Sequence, residues 1–181
     1  MRHRVLVPSL VCAAILAACD SGRSPQPAAR APAGSGGTGA AAPAWLLAQA
    51  PADAVGVAAV KAGAKEGDTV TIRGRIGGRA DPMTPGSPIF VIMDPSIPSC
   101  RDNPEDRCAT PWDYCCETPE TKAANNATIQ VVDASGAPIT DSLEAAGFAP
   151  LDEVIAVGVV GPRPDPSVLV VRATALHRVT P

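Results

Sequence analysis

The eight residues from Thr69 to Ile76 constrain the fold more than any others in the chain, because Val70, Ile72, Gly74 and Ile76 alternate with Thr71, Arg73 and Arg75. Period two puts one set against a core and the other toward solvent, which is a half-buried strand. Gly67-Asp68 opens the segment and Gly77-Gly78 closes it. Gly74 falls on the inward side, as expected where a strand coils sharply or another backbone comes close. The chain of 181 residues carries 20 Pro, 16 Gly and only 3% aromatic residues. That many breakers argue against a coiled coil or helical bundle. The length suits one domain with appendages rather than two full domains.

Four further segments carry strand signals bounded by turn residues: Ile89 to Met93, Thr128 to Val132, Val154 to Val160 and Val168 to Leu176. Between the third and fourth strands, Asp141 is an N-cap candidate with Glu144 three residues on and Gly147 as terminator. This predicts one short helix. The order strand, strand, strand, helix, strand, strand, together with Gly67-Asp68-Thr69-Val70-Thr71-Ile72-Arg73-Gly74-Arg75-Ile76, resembles the five-stranded oligonucleotide/oligosaccharide-binding barrel, the OB-fold. The resemblance covers roughly Lys65 to Arg178 and is interrupted by a Cys-bearing insertion at about residues 95–120. It implies a mainly β fold, a small OB-like barrel with one short helix. A small β-sandwich is the alternative.

The N-terminus carries an address. Arg2, His3 and Arg4 precede an apolar run from Val5 to Leu16, too short to span a bilayer comfortably, and then Leu16-Ala17-Ala18-Cys19. These four residues resemble the lipobox of bacterial lipoproteins, which implies a signal peptide over residues 1–18 and diacylglyceryl attachment to Cys19, with further acylation of its amine. The competing reading is a buried apolar helix that happens to end in Cys. In enterobacterial lipoproteins an Asp after the lipidated Cys, here Asp20, implies retention in the inner membrane. From Ser21 to Ala44 the chain is almost entirely Ala, Gly, Pro and Ser, a composition that cannot bury enough apolar surface to order itself. As a random coil such a tether reaches roughly 25–30 Å. The domain is expected over residues 45–181, starting at Trp45-Leu46-Leu47, which either packs under the domain or lies on lipid. The expected location is the cell envelope, outside the cytoplasm.

Lys plus Arg total 15 against 18 for Asp plus Glu, so the chain is acidic, which argues against a general nucleic-acid binder. Arg73, Arg75 and Arg79 are candidates for a small anion-binding strip, and the bland alternative is a solvated strand face paired with carboxylates.

The most specific feature is the stretch from Cys100 to Cys116, which holds Cys100, Cys108, Cys115 and Cys116 together with Trp112 and Tyr114. Outside the cytoplasm the first expectation is disulfides. Pairing the adjacent Cys115 and Cys116 is strained, so each would join Cys100 or Cys108. A second reading is a four-thiolate zinc or Cu(I) site with nearby acids in an outer shell, although two neighbouring Cys do not readily share one tetrahedral ion. Thiol exchange is the third, without the usual C-x-x-C. Trp112 and Tyr114 are candidate contact residues on this loop, or simply its apolar filling.

No catalytic constellation is evident. After the signal segment the one His is His177, there is no Gly-rich phosphate loop or H-E-x-x-H, and Asp152-Glu153 reads as a solvated turn. Periplasmic haem chaperones are membrane-anchored OB domains whose haem-linking His follows the barrel and precedes a Tyr by four residues. His177 is similarly placed, but Pro181 stands at the Tyr position. The function expected is a non-catalytic binding module, anchored to the membrane by lipid, with an envelope protein or glycan as partner and no required cofactor. A metal or thiol-redox role for the four Cys is the alternative.

Overall fold

The computed structural model describes residues 42–179; the expected signal peptide, Cys19 and most of the expected tether lie outside them. In chain order the elements are β1 (Val55–Gly56), α1 (Val57–Gly63), β2 (Thr69–Ile76), β3 (Ile89–Met93), a 3-10 turn (Cys100–Asp102), α2 (Pro119–Asn125), β4 (Asn126–Val131), β5 (Glu153–Val160) and β6 (Val170–Val179). All five expected strands are present. The first two have the expected bounds, and the others differ by one to three residues at one end or both.

The strands close on themselves. β2 pairs antiparallel with β3 and with β5, β3 antiparallel with β4, β4 parallel with β6, and β6 antiparallel with β5. That circuit, β2-β3-β4-β6-β5 and back to β2, is a closed five-stranded OB-like barrel. Closure follows from the sequence pattern. Ile72, Ile76, Phe90, Ile92, Ile129 and Val131 all project inward and are essentially inaccessible to water. Each contributes roughly 1.5–3 kcal/mol of burial, which an open sheet would forfeit on one face. Gly74 has the close-approach role expected of it, since a β-carbon there would sit 2.8 Å from Cδ1 of Ile92 and 2.9 Å from the Met93 carbonyl. The β5–β6 ladder slips at Val157/Gly158, a bulge that helps the barrel turn.

The helix expected over Asp141–Gly147 is a hydrogen-bonded turn instead. Asp141 does not cap it, because its carboxylate accepts from Trp45 Nε1 at 2.9 Å. Ser142 Oγ accepts the Ala145 amide, and the Phe148 N–H to Leu143 carbonyl bond closes the turn after one round. Leu143 and Phe148 then plug the barrel end.

The two helices lie elsewhere. α2 begins on Thr118, whose hydroxyl accepts from the Thr121 amide, with Pro119 in the first position where its missing N–H costs nothing. α1 has no side-chain cap of its own; Asp94, at the end of β3, supplies one by accepting from the Ala58 amide at 2.8 Å. The helices also share cations. Lys61 donates to the carbonyls of Ala123 and Asn126 at 2.6 Å each, at the end of α2, and Arg163 donates to the carbonyls of Lys61 and Ala64 at the end of α1. Positive charge at helix C-termini is favourable.

Trp45 packs under the domain. It is buried, its ring centroid lies 6.1 Å from that of Phe148, and Leu47 and Trp45 exchange backbone hydrogen bonds with Leu176 on β6.

Candidate functional site

The insertion between β3 and β4 is fastened to the barrel at three places. On one side the Gly78 amide donates to the Trp112 carbonyl at 2.8 Å, and Trp112 Nε1 donates to the Ala80 carbonyl at 2.8 Å. Gly78 and Ala80 both belong to the β2–β3 connection. On the other side Arg75 Nη1 donates to Asp102 at 2.6 Å and to Ser99 Oγ at 3.2 Å. Asp102 also accepts from the Ser99 amide and hydroxyl, fixing the 3-10 turn that carries Cys100. Burial pushes the Asp102 carboxyl up, but the Ser99 amide, Arg75 and the Ser99 hydroxyl outweigh it and hold it below the usual carboxylate range.

The third fastening is Tyr114. Its side chain is only 1% exposed, so it is loop filling and not the contact residue that its position suggested. Its backbone has φ of +54°, a left-handed conformation rare outside Gly, and the burial of the ring offsets that strain. The phenol oxygen finds no hydrogen-bond partner among the described residues. Burial pushes its pKa up to about 12 against the opposing charge of Arg75, whose Nη1 is spent on Asp102 and Ser99. Trp112 remains half-exposed.

With its backbone held this way, the loop brings its four cysteines together. All four are free thiols; Cys100 is buried, Cys108 half-buried, Cys115 and Cys116 exposed. Cys115 Sγ lies 3.4 Å from that of Cys108 and 3.6 Å from that of Cys100, while Cys116 Sγ is 4.0 Å from Cys100. Both adjacent cysteines thus approach Cys100, but only Cys115 also meets Cys108. Cys116 turns to Asp106, 3.2 Å away, and of the two disulfide pairings open from the sequence only Cys100 with Cys116 and Cys108 with Cys115 joins thiols that already face each other.

Hydrogen bonding separates the thiols electrostatically. The contact between Cys108 and Cys115 draws the Cys108 thiol down and pushes that of Cys115 up, and Asp106 pushes Cys116 up to about 11. A cleft of about 300 Å³ lined by Cys100, Asp106 and Cys108 opens beside the cluster.

Two acids enter that the sequence placed only in an outer shell. Asp113 offers an oxygen to the same cluster as Cys100, Cys108 and Cys115, and Asp106 offers one to Cys100 and Cys116. The one signal in the sequence was proximity, since Asp113 stands two residues before Cys115 and Asp106 two before Cys108.

The arginine strip takes the bland form. Arg73 bonds the Glu153 carboxylate across the β2–β5 ladder, Arg75 is spent on Asp102, and Arg79 is exposed on the turn beyond β2, so no convergent cation site forms. His177 lies on β6 itself and donates from Nδ1 to the Leu47 carbonyl at 3.0 Å, which ties down the domain's first residues and is a structural role. Asp152 and Glu153 face Arg178 and Arg73 at the start of β5.

Comparison with known protein families, with curated proteins and with solved structures finds no match for this chain.

Proposed function

We propose that this protein is a bacterial envelope lipoprotein in which acyl chains on Cys19 tether a non-catalytic OB-like binding module, and that the loop from Cys100 to Cys116 is its contact element. The observation that carries the second half is the seat of the loop, bonded to the β2–β3 connection through Trp112 and to β2 through Asp102. In OB barrels the connection between the first two strands, and the face of the second and third, are where ligands are received. Here those strands are β2, β3 and β4, and a loop that joins the second and third and is bonded to the connection between the first two supports this reading. A loop already rigid costs little further ordering when it binds.

The anchor rests on Leu16-Ala17-Ala18-Cys19 and the breaker-rich tether behind it. Two or three acyl chains suffice for stable membrane attachment, whereas one does not. Among the described residues no helix is long and apolar enough to cross a membrane.

Two experiments on the full-length protein test the two halves. Metabolic labelling with an alkyne fatty acid should tag the wild type and not Cys19→Ala, which should also leave the membrane fraction. Wild type without acyl mass, with fractionation unchanged by the substitution, would overturn the anchor. Crosslinking in intact cells should lose or weaken its envelope protein or glycan adducts in Trp112→Ala; an unchanged adduct pattern would contradict the role of the loop.

A further inference from the structure

Two sulfurs that form a disulfide need only each other, whereas sulfurs that share a cation must converge on one point together with any other donor. The loop has the second arrangement. Cys115 Sγ is nearly equidistant from Cys108 and Cys100, at 3.4 and 3.6 Å, and a disulfide would satisfy only one of these contacts. A carboxylate oxygen of Asp113 joins them, so that one donor atom from each of Cys100, Cys108, Asp113 and Cys115 lies within 4.8 Å of every other. Zinc with bonds of roughly 2.3 Å to sulfur holds its thiolates roughly 3.8 Å apart in a tetrahedron. The observed spacings therefore need only small side-chain adjustments.

We propose that Cys100, Cys108, Cys115 and Asp113 form a mononuclear site for a divalent cation of the zinc class. The inference rests on the reading of this loop as the binding element, and it adds a cation held within that loop. The neighbouring Cys115 and Cys116 do not have to share an ion, because Cys116 faces Asp106 and is not one of the four donors.

The supporting shell is in place. One Asp113 oxygen accepts from the Cys115 amide at 2.8 Å and the other from Thr110 Oγ1 at 2.9 Å. Each oxygen keeps a lone pair for a cation, in an orientation set before the cation arrives. Cys100 is fixed from behind by the Ser99–Asp102 turn, and its amide donates to the Pro111 carbonyl at 3.2 Å. Three thiolates and a carboxylate suit borderline zinc better than Cu(I), which prefers sulfur alone, or magnesium and calcium, which prefer oxygen alone. The exposure of Cys115 and the cleft beside Cys100 and Cys108 leave the site open to solvent on one side, so the cation can be loaded into the folded loop.

The test is a cobalt titration of the full-length protein, reduced and purified in detergent, followed by displacement with zinc. One cobalt per chain should bind, with a thiolate-to-cobalt charge-transfer band of three-thiolate intensity and tetrahedral visible bands, all bleached by one equivalent of zinc. Cys116→Ser should keep stoichiometry and band. Asp113→Asn should keep the band and weaken binding, and Cys115→Ser should weaken it further and lower the band intensity to that of two thiolates. Far-UV circular dichroism run on every variant separates loss of binding from loss of fold. No cobalt band from reduced wild type, or Cys116→Ser weakening binding as much as Cys115→Ser, would overturn the site. Acyl labelling and intact-cell crosslinking are read independently, so a failed titration with both intact would remove the metal and leave the tethered module standing.

Discussion

Gly77 and Tyr114 lie so close that no β-carbon fits between them: one built on Gly77 would sit 2.7 Å from Cε2 of Tyr114 and 2.6 Å from the Trp112 carbonyl. The residue that ends the first barrel strand thus decides whether the cysteine loop can seat. Its φ is not in the left-handed region, so the demand is purely one of space.

Gly77→Ala is accordingly expected to destabilise the domain by about 1–3 kcal/mol, the usual cost of an overpacked contact. Thermal denaturation followed by circular dichroism would read this, and it should be accompanied by faster alkylation of Cys100. An unchanged melting temperature with unchanged thiol reactivity would mean that the loop is not held through Tyr114.

Tyr114 is the one tyrosine of the chain, so its phenolate absorbance titrates a single group. Burial raises its folded pKa to about 12. Between the ordinary value near 10 and that folded value the native state holds a proton that the unfolded state has lost, so stability falls as pH rises through this window, by at most about 1.4 kcal/mol per pH unit. Tyr114→Phe removes both this slope and an unpartnered buried hydroxyl, and should be as stable as wild type at neutral pH and more stable above pH 10. A midpoint near 10 in the folded protein would contradict the burial.

Asp102 works in the opposite direction. Its folded carboxyl titrates below its unfolded value, so the stability contributed through Arg75 and Ser99 is present above the unfolded pKa near 4 and is lost as pH falls through the folded one. Asp102→Asn should flatten the acid limb of the stability curve and raise the reactivity of Cys100 at neutral pH. An acid limb identical to wild type would show that the pair does not hold the turn.

Asp94 caps α1 from the end of β3 and also closes its own turn by accepting from the Ser96 amide and hydroxyl at 2.9 and 2.7 Å. Asp94→Ala is expected to cost about 1–2 kcal/mol, the range for a lost N-cap. Urea denaturation measures it, and a loss below a few tenths of a kcal/mol would mean that α1 is held by packing alone.

What could be read from the sequence was what depends on local period and turn chemistry. β2 and β3 have the expected bounds because alternation and an apolar run are local signals, and Gly74 was assigned a close approach that Ile92 supplies. The Asp141 cap failed because that carboxylate is claimed by Trp45, far away in sequence. α1 was not legible for the same reason, since its cap is Asp94. α2 does carry a local signal in Thr118-Pro119, where the insertion ends. At the site, the clustering of four cysteines in one loop was visible, but which atoms converge was not. Adjacent Cys115 and Cys116 look interchangeable until the backbone, with Tyr114 at φ of +54°, turns one toward Cys108 and the other toward Asp106.

The most direct test of the account is the thiol and metal state of the full-length protein as isolated from the envelope, by intact mass with alkylation before and after reduction, alongside elemental analysis. The expected result is one zinc per chain and no disulfide, with Cys100, Cys108 and Cys115 protected from alkylation until a chelator is added, and Cys116 modified first. Two disulfides with no metal would contradict it and make the loop a covalent staple on the barrel.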